Sequence, residues 1–295
     1  MTFGSLFQIL NMKLKSFYIL LLCLLTTQQV FSQTVKTETK MIKSKTIVFI
    51  HGLFVNPESW NEWKAYFEAK GYKCYTPANP YHAGNPAYLR KNIDPGLAKV
   101  NFEDVVNNIV KLIDTLPERP IIIGHSMAGL VVQKLISMDK AAAGVCIDGA
   151  APVGVITLKW SFWKANLPAI NPFKGNSVFQ PTKKWFHYAF CNTMTRAESD
   201  KVFDQIAVPE SRNIPRGTLK SFAKIDFKKP HNPLLIIAGE KDHIVPLSLN
   251  VKNFKAYKDT GSVLAFKEFK SRGHYICGEP NWQEVAAYIY NWLNK

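Results

Sequence analysis

Six short apolar runs punctuate the chain after residue 45. They are TIVFI (46–50), YKCYT (72–76), PIIIG (120–124), AGVCI (143–147), LLIIA (234–238) and LAFKEF (264–269). Each has the length of a strand rather than a helix, and most are rich in β-branched residues. Most lack polar alternation, which predicts strands buried on both faces of a parallel sheet. Between them the period changes to that of a helix. Trp60, Trp63, Tyr66 and Phe67 share one face over residues 57–70, and Val105, Val106, Ile109, Val110 and Ile113 share one over 101–116. Residues 126–138 are apolar and helical, and 282–293 form a closing helix. The Pro- and Gly-rich stretch PANPYHAGNP (77–86) is a turn.

This βαβα rhythm predicts an α/β fold, a mainly parallel sheet with helices on both faces. One segment departs from it. Residues 152–230 hold no strand run but carry Trp160, Phe162, Trp163, Phe173, Phe179, Trp185, Phe186, Tyr188 and Phe190, mixed with lysines. We read it as a helical lid or cap that covers the end of the sheet and offers an apolar pocket. The expected organisation is therefore core (46–151), cap (152–230) and core again (231–295).

The start of the chain reads differently. Residues 33–45 are polar and Thr/Lys-rich, a linker. Residues 1–32 read as an export signal: Lys13 and Lys15 are positive, and residues 17–25 (FYILLLCLL) are apolar but too short to span a bilayer. Val30 and Ser32 occupy the small-residue cleavage positions, and Met12 is an alternative start. An exported protein, periplasmic or extracellular, is expected. Four cysteines then remain, Cys74, Cys146, Cys191 and Cys277. An oxidising compartment permits disulfides among them, although Cys146, inside an apolar run, reads as a buried thiol.

Composition narrows the function. Hydrophobic residues make up 47% and charged residues 20% of 295, a globular balance. The formal net charge of +15 is spread along the chain, with only pairs such as Lys183-Lys184. With no nucleic-acid-binding signature, that charge gives no case for a nucleic-acid partner. Positive charge beside the cap aromatics is compatible with contact to a membrane surface.

The candidate chemistry lies at residues 120–129, PIIIGHSMAG. A buried strand runs directly into a helix with Ser126 at the junction. So sharp a turn needs small neighbours, here Gly124 and Ala128, and it lifts the hydroxyl above the carboxyl end of the sheet. A serine needs a base. His274 follows a strand and a loop just before the last helix, where it can return to that sheet edge. An acid must orient the base. Asp242 follows the 234–238 strand; Asp148 and Glu240 are its competitors. In His51-Gly52-Leu53-Phe54 the Leu53 amide, with that of Met127, can form an oxyanion hole; Phe54 is the alternative donor.

The segments HGLF, GHSMAG, GEKDHIVP and RGH resemble those of the α/β-hydrolase superfamily, in its lidded branch of esterases and cofactor-free haloperoxidases. The resemblance runs from Thr46 to the C-terminus. It implies an eight-stranded sheet with a helical cap, Ser126 as nucleophile, Asp242 as acid, His274 as base, and Leu53 and Met127 as oxyanion donors. It implies no metal or organic cofactor. Ser126 stands where dehalogenases and epoxide hydrolases place Asp, which argues against those chemistries. The expected activity is hydrolysis of a small-molecule ester with an apolar acyl part. A perhydrolase activity on the same residues and a non-catalytic binding protein on the same scaffold are the alternatives, since fold alone does not choose among them.

Overall fold

The computed structural model describes residues 42–295. The expected export signal and most of the expected linker lie outside the described residues.

All six apolar runs form strands of one parallel sheet. They are β1 (Thr46–Ile50), β2 (Lys73–Tyr75), β3 (Ile121–His125), β4 (Ala143–Ile147), β7 (Leu234–Gly239) and β8 (Leu264–Phe269), in the order β2-β1-β3-β4-β7-β8. Register is continuous across the centre: Phe49 pairs Ile123, Ile123 pairs Val145, and Cys146 pairs Ile236. The eight strands implied by resemblance are thus corrected to six. Among the described residues only these six strands join the main sheet, and residues 42–45, just before β1, form no strand.

Alternation splits each strand between two cores. Ile47, Phe49, Ile121, Ile123, Leu235 and Ile237 face one side; Val48, Ile50, Ile122, Leu234 and Ile236 face the other. On the first side lie α1 (Asn61–Glu68) and the closing helix α10 (Trp282–Leu293). Trp63 joins them: it stacks on Trp282 with ring centroids 5.6 Å apart, and its Nε1 donates to the Cys277 carbonyl at 2.7 Å. On the other side lie α3 (Phe102–Ile113), α4 (Met127–Ser137) and α9 (Leu247–Ala256). Asn101 and Asp104 close a capping box at the start of α3 and fix where it begins. A short helix, α2 (Pro86–Lys91), precedes it.

Between β4 and β7 the chain makes α5 (Trp160–Ile170), α6 (Lys183–Ala189), α7 (Arg196–Ile206) and α8 (Asn213–Gly217). It also holds a two-residue antiparallel pair, β5 (Val178–Phe179) with β6 (Glu210–Ser211), which the aromatic pattern does not announce. The insertion is tied to the loop after β1. Val55 bridges Ala207, the Val208 N–H donates to the Phe54 carbonyl at 2.9 Å, and Phe54 packs edge-on against Phe179 and Trp185. All four cysteines among the described residues are buried and free.

Candidate active site

The sheet reverses its winding between β1 and β3. Loops leaving the carboxyl ends of these neighbours diverge and leave a crevice, the place where ligands bind in open α/β sheets. Leu53 follows β1 and Ser126 follows β3, so both stand at its edge.

Ser126 has φ 60° and ψ −126°, outside both helix and strand regions. For a residue bearing Cβ this conformation is strained and persists because its surroundings hold it. Here the Ser126 N–H donates to the Ile147 carbonyl, and the Ser126 carbonyl accepts from Gly129 and Ala150, all at 2.9 Å. The turn is tight enough that a Cβ on Gly124 would sit 2.5 Å from the Ala128 carbonyl oxygen. A Cβ on Gly52 would sit 2.8 Å from the Ser126 Cβ. These two glycines allow the elbow to close and the β1 loop to approach it.

His274 arrives from the loop after β8. Its Nε2 lies 2.9 Å from the Ser126 Oγ and its Nδ1 lies 2.7 Å from the Asp242 Oδ2. All three residues are buried. The His125 ring lies tilted against that of His274, with centroids 4.7 Å apart, and His125 Nε2–H donates to the His274 carbonyl at 2.7 Å. Burial, with the neighbouring His274 imidazole, holds the His125 pKa well below its usual value, so it is a neutral brace. Asp242 is fixed from behind: its Oδ1 accepts the N–H groups of Ile244 at 2.7 Å and Val245 at 2.8 Å.

Asp148, the competing acid, is also buried at this edge. Its Oδ1 accepts the Gly239 N–H at 2.7 Å instead of meeting the histidine. Burial and the nearby Asp242 carboxylate raise its pKa well above the ordinary value, which favours its neutral form. Glu240 turns outward and accepts the Ser271 N–H. His125, Asp148 and His274 cluster closely enough for a metal. Both ring nitrogens of His274 are engaged within the protein, Nδ1 with Asp242 and Nε2 with Ser126.

Of the expected oxyanion donors, Leu53 and Met127 both line the cavity at Ser126. Among the described residues neither backbone N–H is taken by a protein acceptor. The Phe54 N–H faces the Glu210 carboxylate instead. Phe54 itself has φ 67°, a left-handed turn that changes the direction of the loop.

A group that sequence reading missed lies under this loop. His82, within the turn over residues 77–86, is buried beside His51 and Glu210. Its Nε2 bonds the Pro209 carbonyl at 3.0 Å and lies 3.6 Å from the Glu210 Oε1. Burial lowers the pKa of His51 to about 4 and that of His82 to about 3, and raises that of Glu210 to about 8. No local signal could have shown this, because the partners are brought together only by the fold.

The cavity has a volume of about 220 Å³. Leu53, Phe54, Ser126 and Met127 form its floor, and Phe162, Trp163, Ile170, Pro215 and Leu219 of the insertion form its walls. Among the described residues no charged side chain lines it.

A buried Ser–His–carboxylate line over the carboxyl ends of a parallel sheet is the arrangement of an α/β hydrolase. Residues 47–288 match the model of the alpha/beta hydrolase family, and the chain belongs to that family. No curated protein matches it by sequence. Among solved structures it is similar to a monoacylglycerol lipase of Paleococcus ferrophilus (TM-score 0.61, 19% identity, 84% of this chain and 93% of that one). It is also similar to an extracellular alpha/beta-hydrolase of a Paenibacillus species (TM-score 0.62, 21% identity, 83% and 98%). A third is the pyrethroid hydrolase PytH, as its S78A variant (TM-score 0.59, 17% identity, 84% and 96%). At these identities the likeness is one of fold.

Proposed function

We propose that the protein is an exported serine hydrolase that cleaves carboxylic esters through an acyl-enzyme. The observation that carries this reading is the unbroken line Ser126 Oγ, His274 Nε2, His274 Nδ1, Asp242 Oδ2, with contacts of 2.9 and 2.7 Å. The Ser126 oxygen attacks the acyl carbonyl as His274 takes its proton. Negative charge on the carbonyl oxygen is met by the Leu53 and Met127 N–H groups. His274 then protonates the leaving alcohol, and water activated by the same imidazole releases the acid. Asp242 fixes the tautomer and stabilises the imidazolium.

The uncharged cavity, walled by aromatic and aliphatic side chains, supports a neutral ester with an apolar acyl part. The insertion acts as its cap. Names among the similar structures, a lipase and a pyrethroid hydrolase, agree with an ester substrate. Lys13, Lys15 and the apolar stretch behind them support export, with cleavage after Ser32.

The test is a panel of p-nitrophenyl esters of increasing acyl length, run on wild type beside Ser126→Ala. Hydrolysis and labelling by a fluorophosphonate probe should both be lost in the variant while its thermal unfolding is retained. Hydrolysis that survives in Ser126→Ala refutes the assignment. Peroxide-dependent halogenation in acetate exceeding ester hydrolysis would make the protein a perhydrolase instead.

A further inference from the structure

Helix α5 is built inside out. The positions it buries are the small Ala165 and Ala169. Its outward face carries Trp160, Trp163 and Leu167, at i, i+3 and i+7, with Lys164 and Pro168 beside them. A helix of a soluble domain normally turns such a stripe inward.

The surroundings extend the patch. Phe173, just past the helix, is 93% exposed; Leu158, just before it, is 86% and Trp160 74%. With Leu219 and Ile156, these are the five most exposed large apolar side chains among the described residues. Arg216 holds the Phe173 turn against α8 by donating to the Asn171 and Gly175 carbonyls, and Leu219 follows α8 directly. Ile156, Trp163 and Leu219 also line the cavity at Ser126. The patch therefore borders the cavity at these three residues.

Charge separates the candidate partners. No acidic residue occurs from Gly149 to Ala197 or from Ser211 to Ile225. Lys159, Lys164, Lys174 and Lys220 interleave with the exposed apolar side chains. Protruding Trp, Leu and Phe among lysines suit an interface where ring and methyl groups enter the acyl boundary and ammonium groups stay with anionic headgroups. No helix of the described residues is long and apolar enough to cross a membrane, so such contact is peripheral.

We propose that the outer face of α5, with the loop before it and the turn after it, docks on an anionic lipid surface. Docking sets the cavity mouth against the lipid. The proposal does not depend on the esterase reading, because lipid binding is measured without turnover.

The test uses the chain from Gln33 to Lys295, which contains the compact unit Lys40–Lys295 whole. Cosedimentation is measured with vesicles of phosphatidylcholine alone and of phosphatidylcholine mixed with phosphatidylglycerol. Partition should be about tenfold or more stronger into the mixed vesicles and should weaken as salt is raised. The double variant Leu158→Ser, Trp160→Ser should lose about tenfold or more of that partition. Neither side chain lines the cavity and both are exposed, so thermal unfolding and hydrolysis of a soluble ester should be unchanged. Equal partition into both vesicles, no partition, or partition retained by the double variant overturns the proposal. A dimer in sedimentation velocity that the double variant abolishes also overturns it, by assigning the patch to a second copy of the chain.

Discussion

Asp242→Asn changes one atom and tests the whole site. In the wild type Oδ1 accepts from two backbone amides, and Oδ2 accepts the proton on His274 Nδ1. An asparagine has one acceptor oxygen and one NH₂ donor, so it cannot serve all three. If its NH₂ faced Ile244 and Val245, two buried hydrogen bonds to a charged group would become donor–donor contacts. At about 1.5–3 kcal/mol each, that orientation is disfavoured by roughly 3–6 kcal/mol. The oxygen therefore stays on the backbone amides and the NH₂ turns to His274. An NH₂ there donates to Nδ1 and drives the imidazole proton to Nε2, which then cannot accept the proton of Ser126. The wrong tautomer costs a triad about 10⁴-fold in kcat, or about 5 kcal/mol of transition-state stabilisation. KM should hold, since the cavity is untouched. In Asp148→Asn the amide oxygen still accepts from Gly239 and the Asp242 bond to His274 is kept, so kcat should stay within about tenfold. The assay is steady-state hydrolysis of a p-nitrophenyl ester by both variants, with thermal unfolding as the control for folding. A loss below about tenfold in Asp242→Asn, or the reverse ranking of the two variants, would refute the placement of the acid.

Gly124→Ala should lower stability by about 2 kcal/mol, read as the urea midpoint, because backbone atoms of Ala128 block the new methyl; an unchanged midpoint sinks the account of the elbow. Acid should destabilise the protein through His51 and His82. Their folded pKa values, about 4 and about 3, lie below the unfolded value near 6.5, so the unfolded chain binds more protons in that window. The stability they protect is present above pH ~6.5 and is lost as pH falls towards the folded values. A urea midpoint flat from pH 7 to pH 4 contradicts this. Glu210 has the opposite sign. Its folded pKa of about 8 exceeds the unfolded value, so its contribution is full below pH ~4.5 and is lost as pH rises to about 8. Glu210→Gln should therefore gain about 3 kcal/mol relative to wild type between pH 4.5 and pH 7. A gain that does not grow with pH would place the charged carboxylate in the folded state.

Much of the molecule is legible along the chain because much of its physics is local. A strand buried on both faces must be continuously apolar, so four runs announce the central strands β1, β3, β4 and β7, while the mixed runs of β2 and β8 fall at the sheet edges. The count of eight came from resemblance, and among the described residues no further stretch joins the main sheet. The elbow is legible because only small residues fit around so tight a turn. The same logic makes His274 legible, since a loop between the last strand and the last helix must pass the sheet edge.

The rest depended on pairs of residues far apart in the chain. Asp148 and Asp242 both follow buried parallel strands, and along the chain only their order relative to Ser126 and His274 favours Asp242. Only the folded loops turn the Asp242 oxygen to His274 and the Asp148 oxygen to Gly239. His82 looks like a turn residue until the insertion delivers Glu210 and Pro209 to it. The outward stripe on α5 has the same periodicity as an inward one. The order of residues thus determined which segments form strands and helices and which turn bears the serine, because those choices rest on spacing and local sterics. Which carboxylate meets the histidine, which histidines lose their water, and which face of α5 stays bare were decided by tertiary packing, because burial and pairing depend on partners the chain brings together only when folded.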